Sequence, residues 1–279
     1  MSTAARCWWG SSVLCLRWFA AAVLVSIGPA SLLAQGQSAA ADPGKAAAAN
    51  QTKARRILGE TIQALGGPAW LDLRTMRIMA RDAAFFQGTP TGASSAVDIS
   101  VEFPDKERID SSKGKVVQLI VGNQGWEITY KGKKPFAPAK LDDFLRWRNH
   151  SLRAVLDDWA HDPATLLVDQ GPSVDDRRPV ETMVLMRAAG DSATLTIDAE
   201  SHLPVRLSFA WRDPRFHDTT TNVVEFDNYH RVDGIATPFT VTRKNNGQIV
   251  DQRFVEKISY NATFSKEMFD PDVAAAHLR

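Results

Sequence analysis

The six histidines lie at positions 150, 161, 202, 217, 230 and 277, and no two are four residues apart. A metal centre wants three or four converging ligands. His161 beside Asp157, and the loop group Asp213, His217 and Asp218, fall short of that. The adjacent acids Asp157-Asp158 and Asp175-Asp176 could supply a general acid and a base. Neighbours on a helix point in different directions, however, so a charged helix face accounts better for the first pair. The segment "GASSA" (92–96) lacks the spacing of a nucleophile elbow. No glycine loop for phosphate and no dinucleotide fingerprint occurs. These observations predict a protein that is not an enzyme and that uses no metal, nucleotide or redox cofactor.

Charge narrows the partners further. The chain has 33 basic and 32 acidic side chains and a formal net charge of +1. Nucleic acid demands a concentrated field of Lys and Arg, and none is present. The first residues are different in kind: "MSTAARCWWGSSVLCLR" carries Arg6 and Arg17 without an acid, "WFAAAVLVSIG" is apolar, and "PASLLAQG" is rich in small residues. That order predicts a secretory signal peptide over 1–34, cleaved after Ala34. Cys7 and Cys15 are the only cysteines, and both fall within it. The mature product then has no thiol, hence no disulfide, no cysteine-bound metal and no cysteine nucleophile. It keeps 31 basic against 32 acidic residues. The localisation expected is the periplasm.

The elements that follow must carry whatever function remains. Residues 35–50 are Ala-rich and patternless and read as a linker, leaving 51–279 as a single domain. Ala54, Ile57, Leu58, Thr61, Ile62 and Leu65 form one helical stripe, with Asn50 as its N-cap and Gly66-Gly67-Pro68 as its stop. From about Thr75 the period becomes two: Val97, Ile99, Val101 and Phe103 alternate with polar residues, and "KVVQLIVG" and "GWEITYKG" flank a glycine turn. A second helix is expected near 139–160, with Leu141, Phe144 and Leu145 repeating three turns later as Leu152, Val155 and Leu156. Strands then run to the end of the chain, among them "LPVRLSFAW" (203–211) and a hairpin at Asn246-Gly247. Successive strands without helices between them predict an α+β fold: a large curved antiparallel sheet, an unclosed barrel.

The order of these pieces resembles the LolA-like lipoprotein-carrier superfamily. The resemblance rests on "VEFPDKERIDSSKGKVVQLIVGNQGWEITY", on "LTIDAESHLPVRLSF" and on the closing "MFDPDV", and it spans nearly the whole expected mature chain. It implies an open β-barrel around an apolar cavity whose mouth is covered by helices, carrying or sensing acyl chains of lipoproteins or other lipids. In that family a basic residue directly before the strand-ending proline latches the lid. Here Phe103 holds that position and Lys106 and Arg108 follow Pro104, so the same latch is not expected.

A sheet of this size has an inner face larger than two helices cover. Each Leu or Phe left bare there would cost about 1.5–3 kcal/mol. The candidate cavity residues are Val97, Ile99, Val101, Phe103, Leu119, Val121, Trp126, Ile128, Tyr130, Leu203, Val205, Leu207, Phe209 and Trp211. The candidate lid residues are Ile57, Ile62, Leu141, Phe144, Leu145 and Arg148. Arg148 would either meet a polar head group at the mouth or pair with Asp142 or Asp143. The expected partners are a lipid or lipoprotein acyl chain, an envelope protein as donor or acceptor, and the membrane surface in passing. The alternative is a non-catalytic envelope interaction module whose barrel is filled by its own side chains.

Overall fold

The computed structural model describes residues 42–214 and 216–278. The expected leader and the first part of the linker lie outside them. Thirteen antiparallel strands form one sheet in the order β6-β5-β4-β3-β2-β1-β13-β12-β11-β10-β9-β8-β7. Two meanders build it: β1 to β6 (Thr75–Phe86, Thr89–Glu102, Lys106–Ser111, Val116–Val121, Gln124–Thr129, Gly132–Pro135) and β7 to β13 (Leu166–Asp175, Arg178–Met186, Ser192–Asp198, Pro204–Arg212, Thr219–Val232, Ile235–Asn245, Gln248–Tyr260). They join where β1 pairs with β13, for instance Ile78 opposite Ile258. The end strands β6 and β7 do not pair with each other, so the barrel is open. The short β6 carries Lys133 and Lys134, charges that discourage pairing with another chain at a free edge.

Chain connectivity explains where the helices sit. β6 and β7 lie at opposite edges, so the connection between them has the whole trough to cross. It contains α3 (Pro138–Asn149), then α4 (Leu152–Ala154) running into a π-helical turn (Val155–Trp159). The single helix expected over 139–160 is in fact broken. His150 ends α3, and Ser151 caps the next turn by accepting from the Ala154 N–H at 3.2 Å. The break separates the two halves of the predicted stripe: α3 buries no residue fully, whereas Val155, Leu156 and Trp159 are buried.

The first helix, α1, runs from Pro43 to Leu65 with Asp42 as its N-cap. It takes up residues 43–50, which the sequence reading gave to a linker. Ala46 to Ala49 favour helix strongly, but nearly all of this turn is exposed, so no apolar stripe announces it. Asn50 is therefore inside the helix and does not cap it. Its side chain bonds the backbone of Asp169 on β7 twice, donating to the carbonyl at 2.7 Å and accepting from the N–H at 2.9 Å. The stripe Ala54, Ile57, Leu58, Ile62 and Leu65 packs with Leu167, Met183, Leu185, Leu195, Leu207 and Trp159 into the main core. The short α2 (Pro68–Leu71) adds Trp70.

An ion pair with its carboxylate buried and its lysine half-exposed fastens α1 to β7: Lys53 Nζ lies 2.6 Å from Asp169 Oδ2. Burial by itself would raise the Asp169 carboxyl. The bonds from Lys53 and the Gly171 N–H, with the charges of Lys53 and Arg56, outweigh it and hold the group below its ordinary value. A carboxyl depressed in the folded state stabilises above its unfolded pKa of about 3.9 and loses that contribution as pH falls through the folded value. Urea unfolding from pH 6 to pH 2.5 is expected to show a larger drop in stability below about pH 4 than Asp169→Asn shows. Identical pH profiles for the two proteins would contradict this role.

Candidate functional site

The concave face divides into a filled half and a hollow half. Over β7 to β10 it is packed by α1 and the π-helical turn, with Met183, Leu185, Leu195 and Leu207 fully buried. Over β1 to β4 and β11 to β13 it faces a cavity of about 1330 Å³, roofed by α3. That exceeds the roughly 300–1000 Å³ of ordinary small-ligand clefts. Strand register fixes which side chains reach it. Ile258, Ile78, Ile99, Ile109 and Gln118 are successive cross-strand partners, and so are Tyr260, Met76, Val101, Glu107 and Ile120. Val224, Phe226, Val241 and Val255 continue the apolar wall. Phe136 closes one end by lying flat on Gly125, where a Cβ would stand 2.5 Å from the ring.

Two arginines hold the roof down. Arg148 Nη1 on α3 donates to the carbonyls of Gly122 at 2.7 Å and Asp105 at 3.2 Å, and Nη2 to Asn123 Oδ1 at 3.3 Å. Arg153 donates to the carbonyls of Trp70 at 2.5 Å and Leu71 at 2.8 Å, and pairs with Asp157 at 2.6 Å. Its guanidinium also covers the rings of Trp70 and Phe103. The basic residue that the resemblance led one to seek before Pro104 is thus absent. The arginines come from the helical side and reach loop carbonyls.

No family model and no curated protein matches this sequence. Solved structures do match. A domain described as an outer membrane lipoprotein-sorting protein, from Vibrio parahaemolyticus, aligns at 11% identity over 81% of this chain and 100% of its own, with a TM-score of 0.53. A DUF1329 family protein from Desulfovibrio piger aligns at 11% identity over 81% and 99%, with a TM-score of 0.58. A LolA superfamily protein from Nitrosomonas europaea aligns at 11% identity over 79% and 98%, with a TM-score of 0.49. The fold is LolA-like. At this identity the likeness speaks of architecture, and it rests on the first two alignments together with the open thirteen-stranded sheet.

Within the LolA-like trough, Ile99, Val101 and Phe103 line the hollow, as do Phe144 and Arg148 from the roof. Val97 stands on the same strand face beside Ala80, in a small cluster with Ile99. Other candidates are elsewhere. Leu119, Val121, Trp126 and Ile128 lie on the convex face, where Val117, Leu119 and Ile128 pack under Phe269, Ala274 and Ala275. The cover comes from α5 (Pro271–His277) and the loop before it, and Arg108 on this face donates to the Met268 carbonyl at 3.1 Å. Tyr130 is 71% exposed at a turn. Ile57 and Ile62 belong to the main core and not to a lid.

On β10 a bulge interrupts the alternation: Pro204 faces Ile197 and Arg206 faces Thr196, so Val205 has no cross-strand partner in that ladder. Leu207 is core, with Leu203 packed at its margin. Phe209 stacks on His150 at 4.0 Å between centroids and meets Trp147 edge-on. Trp211 lies beneath the guanidinium of Arg146 at 3.8 Å. Leu145 and Trp211 border a separate cleft of about 340 Å³, and Leu141 lines neither space.

The histidines and acid pairs form no metal group among the described residues. His150 is buried, its Nε2 2.9 Å from Asp191 and its Nδ1 2.8 Å from the Arg146 carbonyl. It fastens the end of α3 to the filled half. Asp175 pairs with Arg206 at 2.9 Å, and Asp213 and His217 close their own loop through backbone bonds.

Sequence reading missed the polar groups of the hollow: Glu107, Arg243 and Arg253 all line it. Arg253 bonds Asp82 through Nε at 2.8 Å and Nη2 at 2.7 Å, and Arg243 Nε bonds Asp251 at 2.6 Å. Burial pushes the Glu107 carboxyl up, and the fields of Arg253, Arg243 and Arg148 offset this only in part.

Proposed function

We propose that this protein is a soluble periplasmic carrier or sensor of an amphiphile, holding an acyl chain in the hollow half of its trough. One observation carries the reading: side chains pack half of the concave face and leave about 1330 Å³ beside it under a helix latched by arginines. A buried CH₂ contributes about 0.8 kcal/mol, so a chain of ordinary length gains enough to be carried without a catalytic group. The lipoprotein-sorting description of one structural neighbour supports lipids or lipoprotein acyl chains as the ligand class. Delivery then calls for an envelope protein or a membrane surface as donor and acceptor. A wholly self-filled interaction module is the poorer reading, because the hollow would serve nothing.

Solvent extraction of protein purified from its own periplasm, followed by mass spectrometry, is expected to yield an acyl species near one per chain. Ile99→Trp with Ile109→Trp puts two indoles into the apolar middle of the trough and is expected to cut the bound fraction by about tenfold or more, the equivalent of ~1.4 kcal/mol. A clean extract from both proteins, with no uptake of added lipid, would sink the proposal.

A further inference from the structure

We infer that the amphiphile bears an anionic oxygen head group, of which a carboxylate is the smallest, and that this group binds inside the trough among Arg148, Arg243, Arg253 and Glu107. The inference rests on the carrier reading and specifies its ligand.

The argument begins with hydrogen bonds already spent. A guanidinium has five N–H donors. Arg253 uses Nε and Nη2 on Asp82, and Arg243 uses Nε and Nη2 on Asp251, so Nη1 of each is unspent among the described residues. Arg148 has only uncharged acceptors, the Asp105 and Gly122 carbonyls and the Asn123 amide oxygen. Three cations therefore stand on the hollow with two carboxylates in contact. Glu107 faces all three and touches none of them: it makes no hydrogen bond or ion pair with any described residue. Burial raises its carboxyl, so it opposes an anionic guest less than a fully exposed carboxylate would. The three arginines thus offer unspent N–H donors and carry one more charge than the carboxylates bonded to them. An acyl chain alone satisfies neither. A carboxylate or phosphate satisfies both, since charge-assisted bonds to arginine are about twice as strong as neutral ones.

The test uses delipidated protein and three probes of one chain length: tetradecanoate, 1-tetradecanol and tetradecylammonium, each displacing a fluorescent apolar reporter. Tetradecanoate is expected to bind at least about tenfold tighter than either of the others. In Arg243→Gln that preference is expected to shrink to about threefold or less. Glu107→Gln, which removes the one acid that faces all three arginines, is expected to retain the preference. Equal affinity for all three probes would overturn the head-group assignment and leave the carrier reading standing. Tighter binding of the ammonium would overturn it too, by showing Glu107 as the dominant charge. Loss of the preference in Glu107→Gln would do the same. Failure of every probe to bind would remove the carrier reading itself. The wild-type series alone decides the matter if Arg243→Gln does not fold.

Discussion

Trp159→Ala is expected to lower the stability of the folded domain by about 3–5 kcal/mol, the range for removing a fully buried Trp or Phe. Trp159 is 1% exposed and packs with α1 residues and with Leu167, Met183 and Leu195, the place where the π-helical turn locks onto the sheet. Its ring also meets His150 edge-on at 5.1 Å and lies under Arg187. Removing the indole from among fully buried side chains leaves a cavity there. Phe144→Ala gives the contrast: that ring is half-buried on the wall of the hollow, and its loss is expected to cost about 1 kcal/mol or less. Urea unfolding of the two variants measures the difference directly. Equal losses would mean that the trough is not divided into a packed half and a vacant one.

The open antiparallel sheet was legible because most strands alternate cleanly, and β2 shows why. Asp98 lies between Val97 and Ile99 and points to the convex face, where Arg77 binds it at 3.0 and 2.6 Å. β4 was misread because it is apolar on both faces: Val117 and Leu119 go under α5 while Ile120 goes to the trough. Its one polar residue, Gln118, is on the concave side and lines the hollow. The strand 203–211 alternates perfectly on paper, yet the bulge at Val205 removes one residue from the count. Glu107, Arg243 and Arg253 were invisible for a different reason. A charged residue in a strand reads as solvent-facing until its cross-sheet partner is known. Asp82 lies 171 residues from Arg253, and only the β1–β13 closure brings them together.

Replacing Arg148 and Arg153 together with methionine is expected to raise amide hydrogen exchange across 138–159 by about 100-fold or more, with far smaller changes in β8 and β9. Methionine keeps most of the apolar stem and removes the donors, so the test isolates the bonds from the packing. Between them the two side chains supply five bonds to the Asp105, Gly122, Trp70 and Leu71 carbonyls and to Asn123. A hydrogen bond to a charged group contributes about 1.5–3 kcal/mol, so losing even one strong bond per arginine favours opening by at least ~3 kcal/mol. The stakes are functional as well as structural, because α3 is the roof and a guest must pass it. A looser roof is expected to speed both entry and release of a bound acyl probe while moving its equilibrium affinity much less. Unchanged exchange in 138–159 would place the hold on α3 elsewhere, with the His150 bond to Asp191 and its stack on Phe209 among the remaining anchors.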